Sequence, residues 1–271
     1  MKDARIMFLG VGGDSYVVGK QVLSSGGIII RLGELQFHID PGPGSLVKAK
    51  QYDINLRENT ALLVSHNHIN HSNDANAVIA AMTHNGEDKK GVLISNVTVL
   101  EGDEKNSPVI TDFHKKCLEK KIKLEAGGKA GIGNVDIHAT RTKHSDKEGI
   151  GFKFYTPNFV LSYVGDTEFT KEIVEEHKGS DIIILNVVNP GEQKIKNQMN
   201  TSEAIEFLKI AKPSLAIITH FGIKMLSADP INEARTIQKE SKCQVIAAKD
   251  GMMLNPYSYS AIIKQRTLNL Y

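Results

Sequence analysis

The chain has 271 residues, 41% of them hydrophobic and 24% charged, with a formal net charge of +2. This composition is typical of a globular protein, and the balanced charge argues against a dedicated nucleic-acid binder. No apolar run approaches the roughly 20 residues of a membrane span, and the N-terminus lacks a signal-peptide core. Cys117 and Cys243 lie far apart and are expected to be free thiols. We therefore expect a cytoplasmic protein.

No linker, repeat or change of composition divides the sequence, so we expect one domain over residues 1–271, with 256–271 as a C-terminal extension. The extension carries several apolar residues and is expected to be an edge strand or part of a homodimer contact.

Short apolar runs rich in β-branched residues predict strands along the whole chain. They cover residues 6–9, 27–30, 35–39, 61–64, 92–94, 135–138, 151–155, 159–164, 182–188, 215–219 and 245–247. Strands dominate the first part, whereas strands and helices alternate after about residue 159. This order favours two sheets packed face to face with helices on the outside.

Helices are predicted where recognisable ends bound a helical pattern. One covers about 74–84, one begins near Thr170 and ends at Gly179, one is opened by Asn200 with Glu203 in a capping box, and one follows Asp229 and Pro230. The basic run at 115–123 is interpreted as the solvated face of a further helix.

Three histidines, His66, His68 and His71, directly follow the predicted strand at 61–64. Imidazole is the commonest neutral metal ligand, and a strand end followed by a tight loop can aim alternate side chains at one point. His144, Asp166 and His220 also stand at or just after the ends of predicted strands, where functional groups are commonly mounted. The sequence therefore predicts a metal site.

Together with Asp40, this ordered set resembles the metallo-β-lactamase-fold hydrolases over roughly residues 6–254. The family pattern is Asp, then H-x-H-x-D-H, then His, Asp and His, each at a strand end. The matching positions here are Asp40, His66, His68, Asn70, His71, His144, Asp166 and His220. The resemblance implies an α/β fold, an αββα sandwich of two packed mixed β-sheets with helices on the outer faces, and a metal site along one sheet edge.

The resemblance also implies two divalent metal ions, with Zn²⁺ favoured and Mn²⁺ or Fe²⁺ as alternatives. Its metal ligands would be His66, His68 and His144 for the first ion, His71, His220 and Asn70 for the second, and Asp166 bridging both. Asp40 would orient a ligand imidazole or its loop. A metal-bridging hydroxide would be the nucleophile, oriented by Asp166 and weakly by Asn70. His220 or a metal-bound water would protonate the leaving oxygen.

One position departs from the family pattern, because Asn70 stands where the family has aspartate. An amide oxygen is neutral and binds Zn²⁺ or Mn²⁺ less strongly than a carboxylate does. We therefore expect a weaker second metal site and slower turnover.

The histidine-rich ligand set with Asp166 resembles the phosphodiesterase branch of the family, which includes tRNase Z and the cyclic phosphodiesterase of phosphonate breakdown. The chain has no long insertion like the tRNA-grasping arm of tRNase Z, and its charge is balanced. We therefore expect a small or cyclic phosphodiester as substrate, and no nucleic acid or membrane partner. The alternatives are an ester, thioester or lactone hydrolase, and a catalytically impaired relative that binds metal and nucleotide.

Other polar residues are given structural interpretations. Gly10–Gly13 are predicted to form a turn near the site, with substrate contact as the alternative. Asn186 and Asn189 are interpreted as loop caps, with pocket lining as the alternative. Five histidines outside the motif are assigned structural or surface positions: His38, His84, His114, His138 and His177.

Overall fold

In the computed structural model, which describes residues 4–260, the strands form two sheets of seven. The first sheet contains β1 (Ala4–Phe8), β2 (Ile28–Leu32), β3 (Leu35–Ile39), β4 (Ala61–Val64), β5 (Val92–Ser95), β6 (Lys120–Lys123) and β14 (Met253–Leu254). The second contains β7 (Lys129–Ile132), β8 (Val135–Arg141), β9 (Ile150–Tyr155), β10 (Val160–Tyr163), β11 (Ile182–Asn186), β12 (Leu215–Thr219) and β13 (Val245–Ala247).

Both sheets are mixed. The first runs in the order β14-β1-β2-β3-β4-β5-β6, antiparallel from β14 to β3 and parallel from β3 to β6. The second runs in the order β13-β12-β11-β10-β9-β8-β7, parallel from β13 to β10 and antiparallel from β10 to β7. Because the carboxyl ends of parallel strands meet at one edge of a sheet, residues that follow β3 and β4, or β10 and β12, are brought close together.

The helices connect and cover the strands. They are α1 (Ser15–Gly19), α2 (Ser45–Gln51), α3 (Ile69–Ser72), α4 (Ala75–Thr83), α5 (Val97–Leu100), α6 (Asp112–Cys117), α7 (Lys171–His177), α8 (Thr201–Ala211), α9 (Ile223–Ala228) and α10 (Pro230–Ser241), with 3₁₀ turns at Leu56–Glu58 and Pro256–Tyr259.

The core lies between the two sheets and extends beneath the helices. The rings of Phe37 on β3 and Phe154 on β9 meet edge to face across the sheet interface, with centroids 5.6 Å apart. In β1, Ile6 and Phe8 belong to this core, whereas Met7 packs into a second cluster with residues of α4. This alternation of inner and outer side chains follows from the twofold period of a strand. The first sheet is therefore buried on both faces.

The predicted αββα sandwich is confirmed, and so are the four predicted helices. In α8, the Asn200 side chain accepts from the Glu203 N–H while Glu203 accepts from the Asn200 N–H, which is the predicted capping box. Helix α10 begins at Pro230 after the cap Asp229, and α7 ends two residues before Gly179.

The helix predicted through the basic run at 115–123 is wrong. Helix α6 ends at Cys117, and Lys120–Lys123 form β6 at the edge of the first sheet. Its three lysines are exposed, and charged side chains discourage further strand pairing at an edge. The sequence analysis also missed β7 and β14, which are too short or too glycine-containing to give an apolar run.

Part of the predicted C-terminal extension lies outside the described residues, so neither the edge strand nor the dimer contact can be assigned to 261–271. Within 256–260, the Tyr257 ring packs against Phe159 at 5.9 Å between centroids, and the Ser260 hydroxyl donates to the Asn158 carbonyl. Over residues 4–260, the structure contains no helix of the length and apolarity that a membrane crossing requires.

Candidate metal centre

The predicted site residues meet where the strand ends of the two sheets come together. Asp40 follows β3 and His220 follows β12, and both have a positive φ, of 51° and 66°. This left-handed conformation is uncommon outside glycine and clusters at functional sites. It turns the chain sharply at the end of each strand, so that both side chains are presented toward the edge of the sheets.

His66, His68 and His144 form one group of ring nitrogens. Nδ1 of His68 lies 3.1 Å from Nε2 of His66 and 3.0 Å from Nε2 of His144. His68 thus faces the group through Nδ1, whereas the other two face it through Nε2. The ligand atoms of all three lie within 4.8 Å of one another.

A second group adjoins the first through Asp166. Oδ2 of Asp166 lies 3.3 Å from Nε2 of His71, and Oδ1 lies 3.4 Å from Nε2 of His220. The two Nε2 atoms are 3.0 Å apart, and the amide nitrogen of Asn70 is 3.0 Å from Nε2 of His220. Oδ2 of Asp166 also lies 3.8 Å from Nε2 of His144 in the first group.

These spacings fit bound metal ions. Ligands about 2.0–2.1 Å from a tetrahedral Zn²⁺ stand roughly 3.3 Å apart, which is close to the separations within both groups. Neutral imidazole nitrogens and one shared carboxylate are also the donor types that such ions prefer. The structure therefore brings all seven predicted ligand residues together, and the five imidazoles and Asp166 are arranged so that they can hold metal. Asn70 faces the group with its amide nitrogen.

The far nitrogen of four of the five imidazoles has an oxygen partner. Nδ1 of His66 lies 2.9 Å from the Ser65 hydroxyl, and Nδ1 of His71 lies 2.8 Å from Asp40. Nδ1 of His144 is 2.6 Å from the Asn197 carbonyl, and Nε2 of His68 is 3.1 Å from the Ser145 hydroxyl. Such outer contacts fix the ring orientation and tautomer of metal-binding histidines.

Asp40 contacts several of the groups that surround the histidine cluster. Its Oδ1 accepts from the Ser65 N–H at 2.7 Å, and its Oδ2 accepts from the hydroxyls of Ser65 at 2.7 Å and Tyr163 at 2.6 Å. The carboxylate is also in contact with His71. Asp40 therefore ties the histidine loop to β10 of the other sheet, consistent with the orienting role predicted for it. Tyr163 was not predicted.

Two amides orient Asp166. Asn186 donates to Oδ1 at 2.6 Å, and Gln198 donates to Oδ2 at 2.8 Å. The loop-capping interpretation of Asn186 is wrong, because its side chain lines the site instead. Its position at the end of β11 was the available signal. Gln198 lies in the segment before α8 and gave no signal in the sequence.

Asp146 is a buried carboxylate beside the first group that the sequence analysis did not assign. Its Oδ2 accepts from the Thr98 hydroxyl at 2.6 Å and the Asn67 N–H at 3.2 Å, and its Oδ1 accepts from the Glu148 N–H at 3.1 Å. Asn67 lies between His66 and His68, so Asp146 joins the histidine loop to α5 and to the loop of His144.

Burial and neighbouring charge set the protonation of the cluster. Burial and His71 hold the pKa of His66 well below its usual range, and burial lowers the pKa of His220 to about 4 despite Asp166. Burial also opposes a charge on His71, but Asp166 and Asp40 outweigh it and raise its pKa to about 10, so metal binding at this ring would release a proton. For Asp166 the burial penalty is overcome by His220 and His71, so its pKa lies well below the usual range.

The glycine run after β1 approaches the site closely, which agrees with the turn predicted there. A Cβ on Gly13 would stand 2.2 Å from the carbonyl oxygen and 2.5 Å from Nδ1 of His220. Any larger residue at this position would push His220 away. Gly13 therefore permits the packing of the N-terminal segment against the second group.

Residues 36–221 match the family model described as the beta-lactamase superfamily domain. The chain belongs to the beta-lactamase superfamily. It is 34% identical over 263 residues to an uncharacterized protein of Methanocaldococcus jannaschii, covering 95% of this chain and 98% of that one. It is 24% identical over 230 residues to a UPF0173 metal-dependent hydrolase of Pyrobaculum islandicum, covering 82% of this chain and 93% of that one.

Solved structures share the fold. The metallo-beta-lactamase fold protein YhfI from Bacillus subtilis has a TM-score of 0.77 at 17% identity, covering 94% of this chain and 99% of that one. Human tRNase Z, short form, has a TM-score of 0.69 at 13% identity, covering 93% of this chain and 98% of that one. A diphosphatase from the PhnP family has a TM-score of 0.68 at 16% identity, covering 93% of this chain and 96% of that one. The chain therefore has the metallo-β-lactamase fold.

Proposed function

We propose that this protein is a metal-dependent phosphodiesterase acting on a small or cyclic phosphodiester. The observation that carries the proposal is the convergence of five imidazoles and the shared Asp166 on two adjoining groups. When bound, divalent ions would supply positive charge to a phosphoryl group and make a water nucleophilic at neutral pH. His66, His68 and His144 would hold one ion, and His71, His220 and Asn70 the other, with Asp166 shared.

Asp166 would orient the attacking water. Its low pKa keeps the carboxylate ionised at neutral pH, and the amides of Asn186 and Gln198 hold its two oxygens in place. His220 has a pKa lowered by burial to about 4, so its Nε2 is unprotonated at neutral pH. That state suits a metal ligand and does not suit the donor of the leaving-group proton.

A cleft beside His68 would receive the substrate. It has a volume of about 410 Å³, and its lining includes the polar residues Asn106 and Ser145, two lysines (Lys105 and Lys147) and four acidic residues (Asp103, Glu104, Asp146 and Glu148). This size lies in the range of small-molecule sites, roughly 300–1,000 Å³. The two lysine ammonium groups suit a phosphate, whereas the carboxylates of Glu104 and Glu148 oppose its negative charge. Asp103 also lines the cleft, but its carboxylate accepts from the N–H groups of Lys105 and Asn106 at 2.7 Å.

The relatives support the same chemistry. Two structures of similar fold are described as a diphosphatase of the PhnP family and as tRNase Z, and one relative as a metal-dependent hydrolase. The net charge of +2 favours a small substrate over a folded RNA, because binding a phosphate backbone relies on clustered positive charge.

The test is a substrate panel on the protein loaded with Zn²⁺ or Mn²⁺. We expect hydrolysis of a generic aryl phosphodiester or a cyclic nucleotide, and its loss in His68→Ala, while His114→Ala, altered outside the cluster, retains it. Hydrolysis of thioesters or lactones alone would assign the site to the rival ester-hydrolase class. Phosphodiesterase activity that survives in metal-free protein would overturn the proposal.

Asn70 favours a second candidate, a metal- and nucleotide-binding protein of impaired activity, because its amide nitrogen and not an oxygen lies nearest to His220. Tight nucleotide binding without turnover, unchanged in Asn70→Asp, would identify this function.

A further inference from the structure

His220 is the exception among the five imidazoles of the cluster. The far nitrogens of His66, His68, His71 and His144 each contact an oxygen. Nδ1 of His220 is buried and has no hydrogen-bond partner among residues 4–260. If Nε2 of His220 binds a metal, Nδ1 must carry the proton of the neutral ring. A buried donor of this kind without an acceptor destabilises the folded protein.

His220 also lines a small cavity. The cavity has a volume of about 30 Å³. Its lining includes residues 10–12, 25, 27 and 28, with Asp40, Tyr163, Asn186 and His220. Three of the lining residues carry a buried polar atom without a partner in the described part of the chain: Oγ of Ser25, Oδ1 of Asn186 and Nδ1 of His220. A polar cavity of this size has room for one or two water molecules.

We propose that a buried water occupies this cavity and joins these three atoms. The orientation of Asn186 is fixed, because its Nδ2 donates to the Asp166 carboxylate, which can only accept. Its Oδ1 is therefore an acceptor. The water accepts from the Nδ1–H of His220 and donates to Asn186 and to the hydroxyl oxygen of Ser25. Three hydrogen bonds are typical of a buried water.

This water gives His220 the outer partner that protein oxygens give to the other four rings. It fixes the tautomer in which Nε2 has its lone pair toward Asp166 and His71. It also closes a ring of contacts from His220 through the water to Asn186, on to Asp166 and back to His220. The inference rests on the proposed function only in that the cluster binds metal.

A high-resolution crystal structure of the full chain tests the site directly, with and without Zn²⁺. We expect one water within hydrogen-bond distance of Ser25 Oγ, Asn186 Oδ1 and His220 Nδ1 in both. Density without a peak there, or a rotated His220 whose Nδ1 contacts a protein oxygen, would overturn the proposal. A protein that takes up no metal but shows the water would reject the proposed function alone.

Two variants of Ser25 form a matched pair for metal binding in solution. Ser25→Val adds methyl groups that displace the water, so the affinity of the second metal should fall by about 10- to 100-fold, as for other outer contacts of metal-binding histidines. Ser25→Ala leaves the space and two of the three partners, so the loss should stay below about tenfold. Chelator competition measures both. Equal affinities in the two variants would contradict the proposal. If Ser25→Val does not fold, a crystal structure of Ser25→Ala without the water would contradict it instead.

Discussion

The amide nitrogen of Asn70 lies between Nε2 of His220, 3.0 Å away, and the carbonyl oxygen of Gly13, 3.2 Å away. An amide nitrogen donates hydrogen bonds and does not bind metal. To act as a ligand, Asn70 must turn its oxygen toward His220 and give up the contact with Gly13. Within residues 4–260, Asp166 is then the single carboxylate in direct contact with the histidines of both groups.

Asn70→Asp should therefore strengthen the second metal site. An aspartate carboxylate at this position would be ionised at neutral pH, so its negative charge would attract a divalent ion. We expect the affinity for the second metal to rise by more than about tenfold and turnover to rise with it, as measured by chelator competition and by phosphodiester hydrolysis. Asn73→Asp, at an exposed position in the same segment, adds the same charge away from the cluster and should change neither quantity. Equal effects of both variants would mean that only the overall charge matters.

Thr98→Val should loosen the loop that carries the first group. The Thr98 hydroxyl donates to the buried Asp146 at 2.6 Å, and Asp146 in turn accepts from the N–H of Asn67. Loss of a hydrogen bond to a charged group costs about 1.5–3 kcal/mol, so the free energy of unfolding should fall by that amount. The affinity of the first metal should fall by about tenfold.

Denaturant unfolding and a metal titration measure these two effects. Thr236→Val serves as the control, since its hydroxyl donates to the Asn232 carbonyl on the exposed face of α10. A Thr98→Val protein with unaltered metal affinity would show that Asp146 stabilises the fold without positioning His66 and His68.

The strand ends were predictable from sequence because apolar β-branched runs stop abruptly at a polar residue. That rule located His66, Asp166 and His220, and the resemblance to the family pattern then added Asp40 and assigned the fold from the order of the set. It did not find Gln198 or Asp146, because both lie in irregular segments whose placement depends on tertiary contacts. The edge strand β6 was missed for a related reason, since exposed lysines at an edge give no apolar signal.

Tyr163→Phe should destabilise the protein while leaving the metal ligands in place. The Tyr163 hydroxyl is buried and donates to Asp40 at 2.6 Å. Burial and the nearby Asp40 raise the pKa of this phenol well above its usual range, so it remains a donor at every working pH. We expect unfolding to become easier by about 1.5–3 kcal/mol.

Metal affinity should change less than tenfold in Tyr163→Phe, because Ser65 and His71 still contact Asp40. Tyr155→Phe, on a partly exposed ring of the neighbouring strand, should have little effect on either quantity. A large loss of metal in Tyr163→Phe with unchanged stability would mean that the phenol acts on the site rather than on the fold.

His177, at the end of α7, should make the protein sensitive to acid. Its ring is fully buried against Phe207, and neither ring nitrogen has a hydrogen-bond partner within residues 4–260. Burial, with a smaller contribution from Lys153, lowers its pKa to about 3. In the unfolded chain the pKa of histidine is about 6.5. Between these two values the unfolded state binds more protons than the folded state.

The contribution of His177 to stability is therefore fully present above pH 6.5 and is lost as the pH falls toward 3, by up to about 1.4 kcal/mol per pH unit. His177→Phe and His177→Leu remove the titrating ring, so their free energies of unfolding should decline less steeply between pH 6.5 and 5 than that of the parent protein. Urea unfolding over this range gives the slopes. His84→Asn, at an exposed position directly after α4, should keep the parent slope. If both His177 variants also keep it, the ring must find a buried partner that stabilises its charged form.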